Sequence, residues 1–166
     1  MSWGTRNHSV IGANISGELR SALLDRNCTV CNSELMFRIE AADAAVYPDG
    51  MVICGPESYY HDRKDVVTNP MVVVEVLSDS TASWDRGGKF RQYELLPSLQ
   101  EYVLIEQNEP QVDVFRRNEH GLWELERYGG LDELIIFKTL KVEVAMASIY
   151  HRVEFPEQKQ NYKVED

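Results

Sequence analysis

Val72-Val73-Val74-Glu75-Val76-Leu77-Ser78 decides how this chain folds. Bounded by Asn69-Pro70 and by Ser78-Asp79-Ser80, this β-branched run predicts a strand buried on both faces, and Glu75 is its one ionisable residue. An unpaired carboxylate there would cost several kcal/mol or take up a proton, so Glu75 requires a charged partner, a metal ion, or a place where the strand opens into a cleft.

The flanking segments supply candidates for each. Upstream, Tyr47-Pro48-Asp49-Gly50 is a turn signal leading into a strand over Met51–Cys54, which sets a second carboxylate, Asp49, just before a buried strand. Taken alone, such an aspartate is most often a local cap. Downstream, Ser78 to Ser83 offers several helix caps, and a helix is predicted from about Trp84 to Leu96, stopped before Pro97. Asp85, Lys89, Gln92 and Tyr93 share one face of that helix. A polar helix face is usually solvated, but this one directly follows the Glu75 strand and can lean Lys89 back over the strand end.

Further out, Val10, Ile11, Ile15, Leu19, Ala22 and Leu23 recur at helical spacing, which predicts a first helix over Val10–Leu24 capped by Asn7 or Ser9. Glu18 lies at the edge of its apolar stripe; a solvated glutamate is the plainer reading and an accessory acid the other. Strands are expected at Cys28–Asn32 and Leu35–Glu40, a loop at Ala41–Ala45, and a surface loop over Gly55–Pro70, where apolar content is low. Glu101–Glu106 and Gln111–Arg117 read as strands joined by Gln107-Asn108-Glu109-Pro110. Strands at Leu122–Tyr128, Leu134–Phe137 and Leu140–Val144 follow, with a closing helix over Ala145–Arg152.

The chain has 166 residues, 43% of them hydrophobic, which fits one domain over 1–155 followed by a polar tail over 156–166. No apolar run approaches the roughly 18 residues of a membrane span and no secretory signal is evident, so a cytoplasmic protein with no membrane partner is expected. Three cysteines suit no disulfide framework, and the Cys28–Cys31 CxxC reads as structural. Cys54, His8, His61, His120 and His151 complete no recognisable zinc set. A net charge of −10 argues against broad attraction to nucleic acid, although Arg86, Lys89 and Arg91 cluster beside the proposed site.

An aspartate before one strand, a glutamate within the next and a lysine on the following helix are the parts of a divalent-metal phosphodiesterase. Two carboxylates offer hard oxygen ligands to Mg²⁺, the Val76 carbonyl adds a third, and the lysine orients water or stabilises transition-state charge. The two carboxylates must then converge rather than point to opposite sheet faces.

Tyr47-Pro48-Asp49, Val73 to Ser78 with Ser80-Thr81, then Asp85, Lys89 and Tyr93, then Glu101-Tyr102-Val103-Leu104 resemble the signature of the Uma-type restriction endonuclease domains. These belong to the PD-(D/E)XK nuclease superfamily, and the resemblance covers roughly residues 7 to 153, from Asn7-His8 through Tyr150. It implies an α/β (α+β) protein with a restriction endonuclease-like mixed β-sheet flanked by helices. It also implies a Mg²⁺- or Mn²⁺-dependent endonuclease acting on DNA, often as a homodimer. Carried over by position, Asp49, Glu75 and Lys89 would be catalytic, with Asp49, Glu75 and Val76 on the metal and Glu18, Asp85 and Tyr93 as accessory residues. Where the superfamily motif would place its lysine, this chain has Leu77, so the lysine must come from the helix. A catalytically inactive module with the same fold, binding nucleic acid or protein as a dimer, is the alternative.

Overall fold

The computed structural model describes residues 4–157. Helix α1 (Arg6–Ala22) begins about one turn before the apolar periodicity does, because Thr5 rather than Asn7 or Ser9 is its cap; the Thr5 hydroxyl accepts from the His8 N–H at 3.1 Å. It is followed by β1 (Cys28–Asn32), β2 (Met36–Ile39), a single 3₁₀ turn (Glu40–Ala42), β3 (Ala44–Val46) and β4 (Gly50–Cys54). The predicted loop at Ala41–Ala45 is therefore part turn and part strand.

The 55–70 segment, expected as a loop, is a hairpin of β5 (Tyr59–Tyr60) and β6 (Arg63–Val67). Its last two residues, Val66 and Val67, are buried and draw β6 into parallel pairing with β2. Next comes β7 (Val72–Val76), buried along its whole length. The single helix expected over 84–96 is two short ones, α2 (Ala82–Arg86) and α3 (Gly88–Tyr93), interrupted at Gly87. Strands β8 (Glu101–Ile105), β9 (Val112–Arg117), β10 (Trp123–Tyr128), β11 (Leu134–Phe137) and β12 (Val142–Ala145) lead to α4 (Met146–Ile149), which is shorter than predicted. From residue 158 onward the expected polar tail lies outside the described residues.

Six strands form the main sheet in the order β1-β4-β7-β8-β9-β10; β7 and β8 are parallel and the other neighbours antiparallel. A four-stranded sheet, β3-β2-β6-β5, and the β11-β12 pair complete the architecture. Period-2 alternation along β7 sends Val72, Val74 and Val76 into a core with Ile11, Ile15 and Leu19 of α1 and with Met146 and Ile149 of α4. The opposite face carries Val73 and Leu77 into a second core with Phe37, Ile39, Tyr93 and Tyr102. Both sheet faces are covered, which is why β7 reads as a nearly unbroken apolar run.

Register also corrects the cysteine reading. Antiparallel pairing of β1 with β4 sets Cys28 opposite Cys54, and these two form a disulfide, whereas Cys31 three residues on is free. Spacing along the chain points to Cys28 and Cys31, but adjacent strands bring the bonded pair together.

Candidate active site

Glu75 lies on the Val73–Leu77 face of β7, at 4% exposure. The β4–β7 register pairs Gly50 with Val74, so one further step would set Asp49 opposite Glu75. Strand β4 stops short of that step. The Asp49 carboxylate instead accepts the Val76 N–H through Oδ2 at 2.7 Å, replacing a ladder bond with a side-chain one. Both carboxylates therefore line one cleft of about 470 Å³, together with Val76, Asp85 and Lys89. They do not point to opposite faces.

The break at Gly87 does not separate Asp85 from Lys89. Lys89 Nζ lies 2.7 Å from Glu75 Oε1 and 3.1 Å from Asp85 Oδ1, and Asp85 is itself 3% exposed. The Tyr93 hydroxyl donates to Glu75 Oε1 at 2.7 Å, and the Tyr102 hydroxyl donates to the Asp85 carbonyl at 3.1 Å. Asp85 and Tyr93 thus hold Lys89 and Glu75 in place. Glu18 behaves differently: it is exposed on α1 and is not among the residues lining the cleft.

Three carboxylates, Asp49, Glu75 and Asp85, face the single ammonium of Lys89. Burial pushes the Glu75 carboxyl up to about 7; Lys89 opposes this and the Asp49 charge adds to it. Burial also works against the charged form of Lys89, yet Glu75 and Asp85 outweigh it and hold that group above the ordinary lysine value. Burial beside Glu75 likewise raises Tyr93, which remains a hydrogen-bond donor. Among the described residues, the remaining oxygens Asp49 Oδ1 and Glu75 Oε2 make no hydrogen bond within the protein.

Sequence reasoning missed one member of the site. His8, in the first turn of α1, places Nε2 3.3 Å from Asp49 Oδ2, and its hydrogen bond to Asp49 raises its pKa above the ordinary histidine value. The signal was Thr5 three residues ahead of it, a cap acceptor that moves the helix start back and turns His8 toward the cleft. The expected basic cluster is also smaller than its sequence suggests. Arg86 bonds to Asp113 and, at 2.8 Å, to Glu106, while Arg91 is exposed.

Comparison with known proteins supports the same architecture. An uncharacterized protein of Synechocystis sp. is 36% identical over 157 residues, covering 93% of this chain and 80% of the relative. A second uncharacterized protein of that organism is 32% identical over 136 residues, covering 82% of this chain and 77% of its own length. A crystal structure from Anabaena variabilis, described as a "putative nuclease belonging to DUF820", superposes with a TM-score of 0.72 at 17% identity over 90% of this chain and 83% of that one, so the two share a fold. Residues 1–147 match the Uma2 family, described as "Putative restriction endonuclease", and the chain belongs to that family.

Proposed function

We propose that this protein is a Mg²⁺- or Mn²⁺-dependent endonuclease that hydrolyses phosphodiester bonds in DNA. In this reading Asp49, Glu75 and the Val76 carbonyl are the metal ligands and Lys89 is the cation at the phosphate. One observation carries it: two carboxylates, one just before β4 and one within β7, line one cleft, each with one oxygen engaged by the protein and one left over, and an ammonium is bonded to one of them.

The donor set fits a hard divalent cation. All the candidate ligands are oxygens, and Mg²⁺ is commonly held by one or two carboxylates while its other positions go to water and phosphate. Among the described residues no group of three or more His, Cys, Asp or Glu side chains is placed to hold a metal ion, so the reading requires water and phosphate to supply the remaining ligands. Burial first and the Asp49 charge after it raise the Glu75 carboxyl to about 7 despite Lys89, and a cation at the site would favour its ionised form. When bound, such an ion lowers the pKa of a water and polarises the phosphate.

The chain's own groups have separate tasks. Tyr93 and Lys89 fix Glu75 Oε1, and the Val76 N–H and His8 fix Asp49 Oδ2. Lys89, kept protonated by Glu75 and Asp85, would stabilise charge building on the non-bridging phosphate oxygens. Asp85 keeps that ammonium at the strand end.

The second reading, a non-catalytic module that binds nucleic acid or protein as a dimer, is favoured by the double engagement of Lys89 and the net charge of −10. Plasmid and a labelled single-stranded oligodeoxynucleotide, each incubated with Mg²⁺ or Mn²⁺, separate the two. Cleavage of either by the parent that is lost in both Glu75→Ala and Lys89→Ala supports the endonuclease, whereas equal background in all three on both refutes it. Light scattering of the purified chain tests the homodimer.

A further inference from the structure

Two large aromatic side chains line the cleft without being buried in it. Tyr47 is 56% exposed and Trp84 53% exposed, and both share the cleft with Asp49, Glu75 and Lys89. They come from different elements: Tyr47 from the turn before β4 and Trp84 from α2. Among the described residues neither ring pairs with another aromatic ring. Trp84 is nonetheless positioned. Its ring lies against Gly88 so closely that a methyl group there would overlap it, so the glycine after the helix break makes room for the indole at the cleft wall.

The cleft is poor in free positive charge. Lys89 is engaged by Glu75 and Asp85, His8 by Asp49, and the nearby Arg86 by Asp113 and Glu106. Asp79 adds another acid to the lining. Proteins that track duplex DNA neutralise many phosphates with lysine and arginine, and among the described residues the cleft lining offers no free one. Single strands add a contact that duplexes withhold, because every base offers a ring face on which an aromatic side chain can stack. In a duplex those faces are covered by neighbouring bases, and reaching one requires an unpaired or flipped nucleotide.

We infer that Tyr47 and Trp84 are base-stacking residues that hold unpaired nucleotides beside the Asp49–Glu75–Lys89 site, so that its substrate is single-stranded or locally unpaired nucleic acid. The inference rests on the nuclease reading of that site, which it narrows from DNA at large to strands with exposed bases. Gly88 acts through Trp84 as a positioning residue.

The test measures binding apart from cleavage. Anisotropy of a fluorescein-labelled oligothymidylate of about twelve nucleotides, and of its duplex with oligodeoxyadenylate, is recorded with Ca²⁺ in place of Mg²⁺. The single strand should bind at least about tenfold more tightly than the duplex, and Trp84→Ala and Tyr47→Ala should each weaken it by roughly tenfold. Trp84→Phe, which keeps a ring, should restore most of the affinity. Both positions are exposed, so unchanged melting temperatures will show that the variants fold. Gly88→Ala should weaken binding and change acrylamide quenching of tryptophan emission, the second effect being absent in the Trp84→Phe background.

Equal affinity for strand and duplex, no binding of either, or alanine variants that bind like the parent would overturn the inference. Plasmid nicking lost in Glu75→Ala alongside such a result leaves the nuclease standing without the stacking. Ring-dependent binding of single strands with no cleavage of that labelled oligonucleotide, nor of plasmid, in Mg²⁺ or Mn²⁺ retains the stacking and removes the nuclease.

Discussion

Replacing Glu75 with glutamine tests the electrostatics at the centre of the site. The Glu75 carboxyl rises from an ordinary 4.5 to about 7 on folding, chiefly through burial. Between those pH values the folded protein holds a proton that the unfolded chain releases, so this group makes stability fall as pH rises through the window. At about 1.4 kcal/mol per tenfold change in proton affinity, the penalty grows to about 3 kcal/mol above pH 7 and is absent below the unfolded value. Glutamine keeps the size of the side chain and an oxygen for Tyr93 and Lys89, but it cannot ionise. Urea unfolding of parent and Glu75→Gln in EDTA, from about pH 4.5 to about pH 8, should therefore show their stability difference moving by about 3 kcal/mol in favour of the variant. Other titrating groups are common to both proteins and largely cancel. In millimolar Mg²⁺ the slope should flatten, because a cation on the carboxylate competes with the proton. A difference that stays within about 0.5 kcal/mol across the range would refute the reasoning, since it would mean that Glu75 is ionised as easily folded as unfolded.

Lys89→Met leaves Glu75 and Asp85 without their shared cation; stability at pH 8 should drop by about 3 kcal/mol, and much of that loss should disappear in the Glu75→Gln background, as a double-mutant cycle in urea will show. His8, raised by its hydrogen bond to Asp49, contributes stability that is fully present below the unfolded value of 6.5 and lost as pH rises through its folded value. His8→Gln should accordingly lower the melting temperature at pH 5.5 and hardly change it at pH 9, and an equal loss at both would exclude charge as the cause. Arg116→Met removes the cation from Glu101, which it bonds at 2.7 Å in the interior, and should destabilise by about 3 kcal/mol or more in urea without changing the affinity for Mg²⁺ measured by calorimetry.

What was legible in the sequence was whatever depends on near neighbours in the chain. Five consecutive buried positions in β7 come from β-branched residues around one acid, and that pattern can hardly be anything but a central strand. Lys89 was found because Asp85, Lys89 and Tyr93 keep a common face even across the interruption at Gly87. The interruption itself was not visible, since two adjacent glycines lower helix propensity without saying where a helix divides. The β5–β6 hairpin was missed because only Val66 and Val67 supply burial, and its parallel partner β2 is far away in sequence. The Cys28–Cys54 disulfide and His8 escaped for the same reason: each depends on strand register or on a cap whose partner lies outside the periodic run.

Glu75 was singled out as a charge inside a strand, but Glu101 and Asp113 are equally buried and break the same rule. Cross-strand register explains the difference. The β8–β9 pairing sets Glu101 opposite Arg116, and the β9–β10 pairing sets Asp113 opposite Arg127, so each acid meets a permanent cation within the sheet. Although burial works against the charged form of Asp113, hydrogen bonds from Arg127 and Arg86 hold its carboxyl below the ordinary range. Glu75 has Leu104 as its β8 neighbour and must draw its cation from a helix, shared with Asp85 and with Asp49 nearby. Its carboxyl moves upward instead. Two buried acids in adjoining parts of one sheet thus shift in opposite directions. The balanced one fastens two strands and a helix; the unbalanced one, open to a cleft, has capacity left for a further cation.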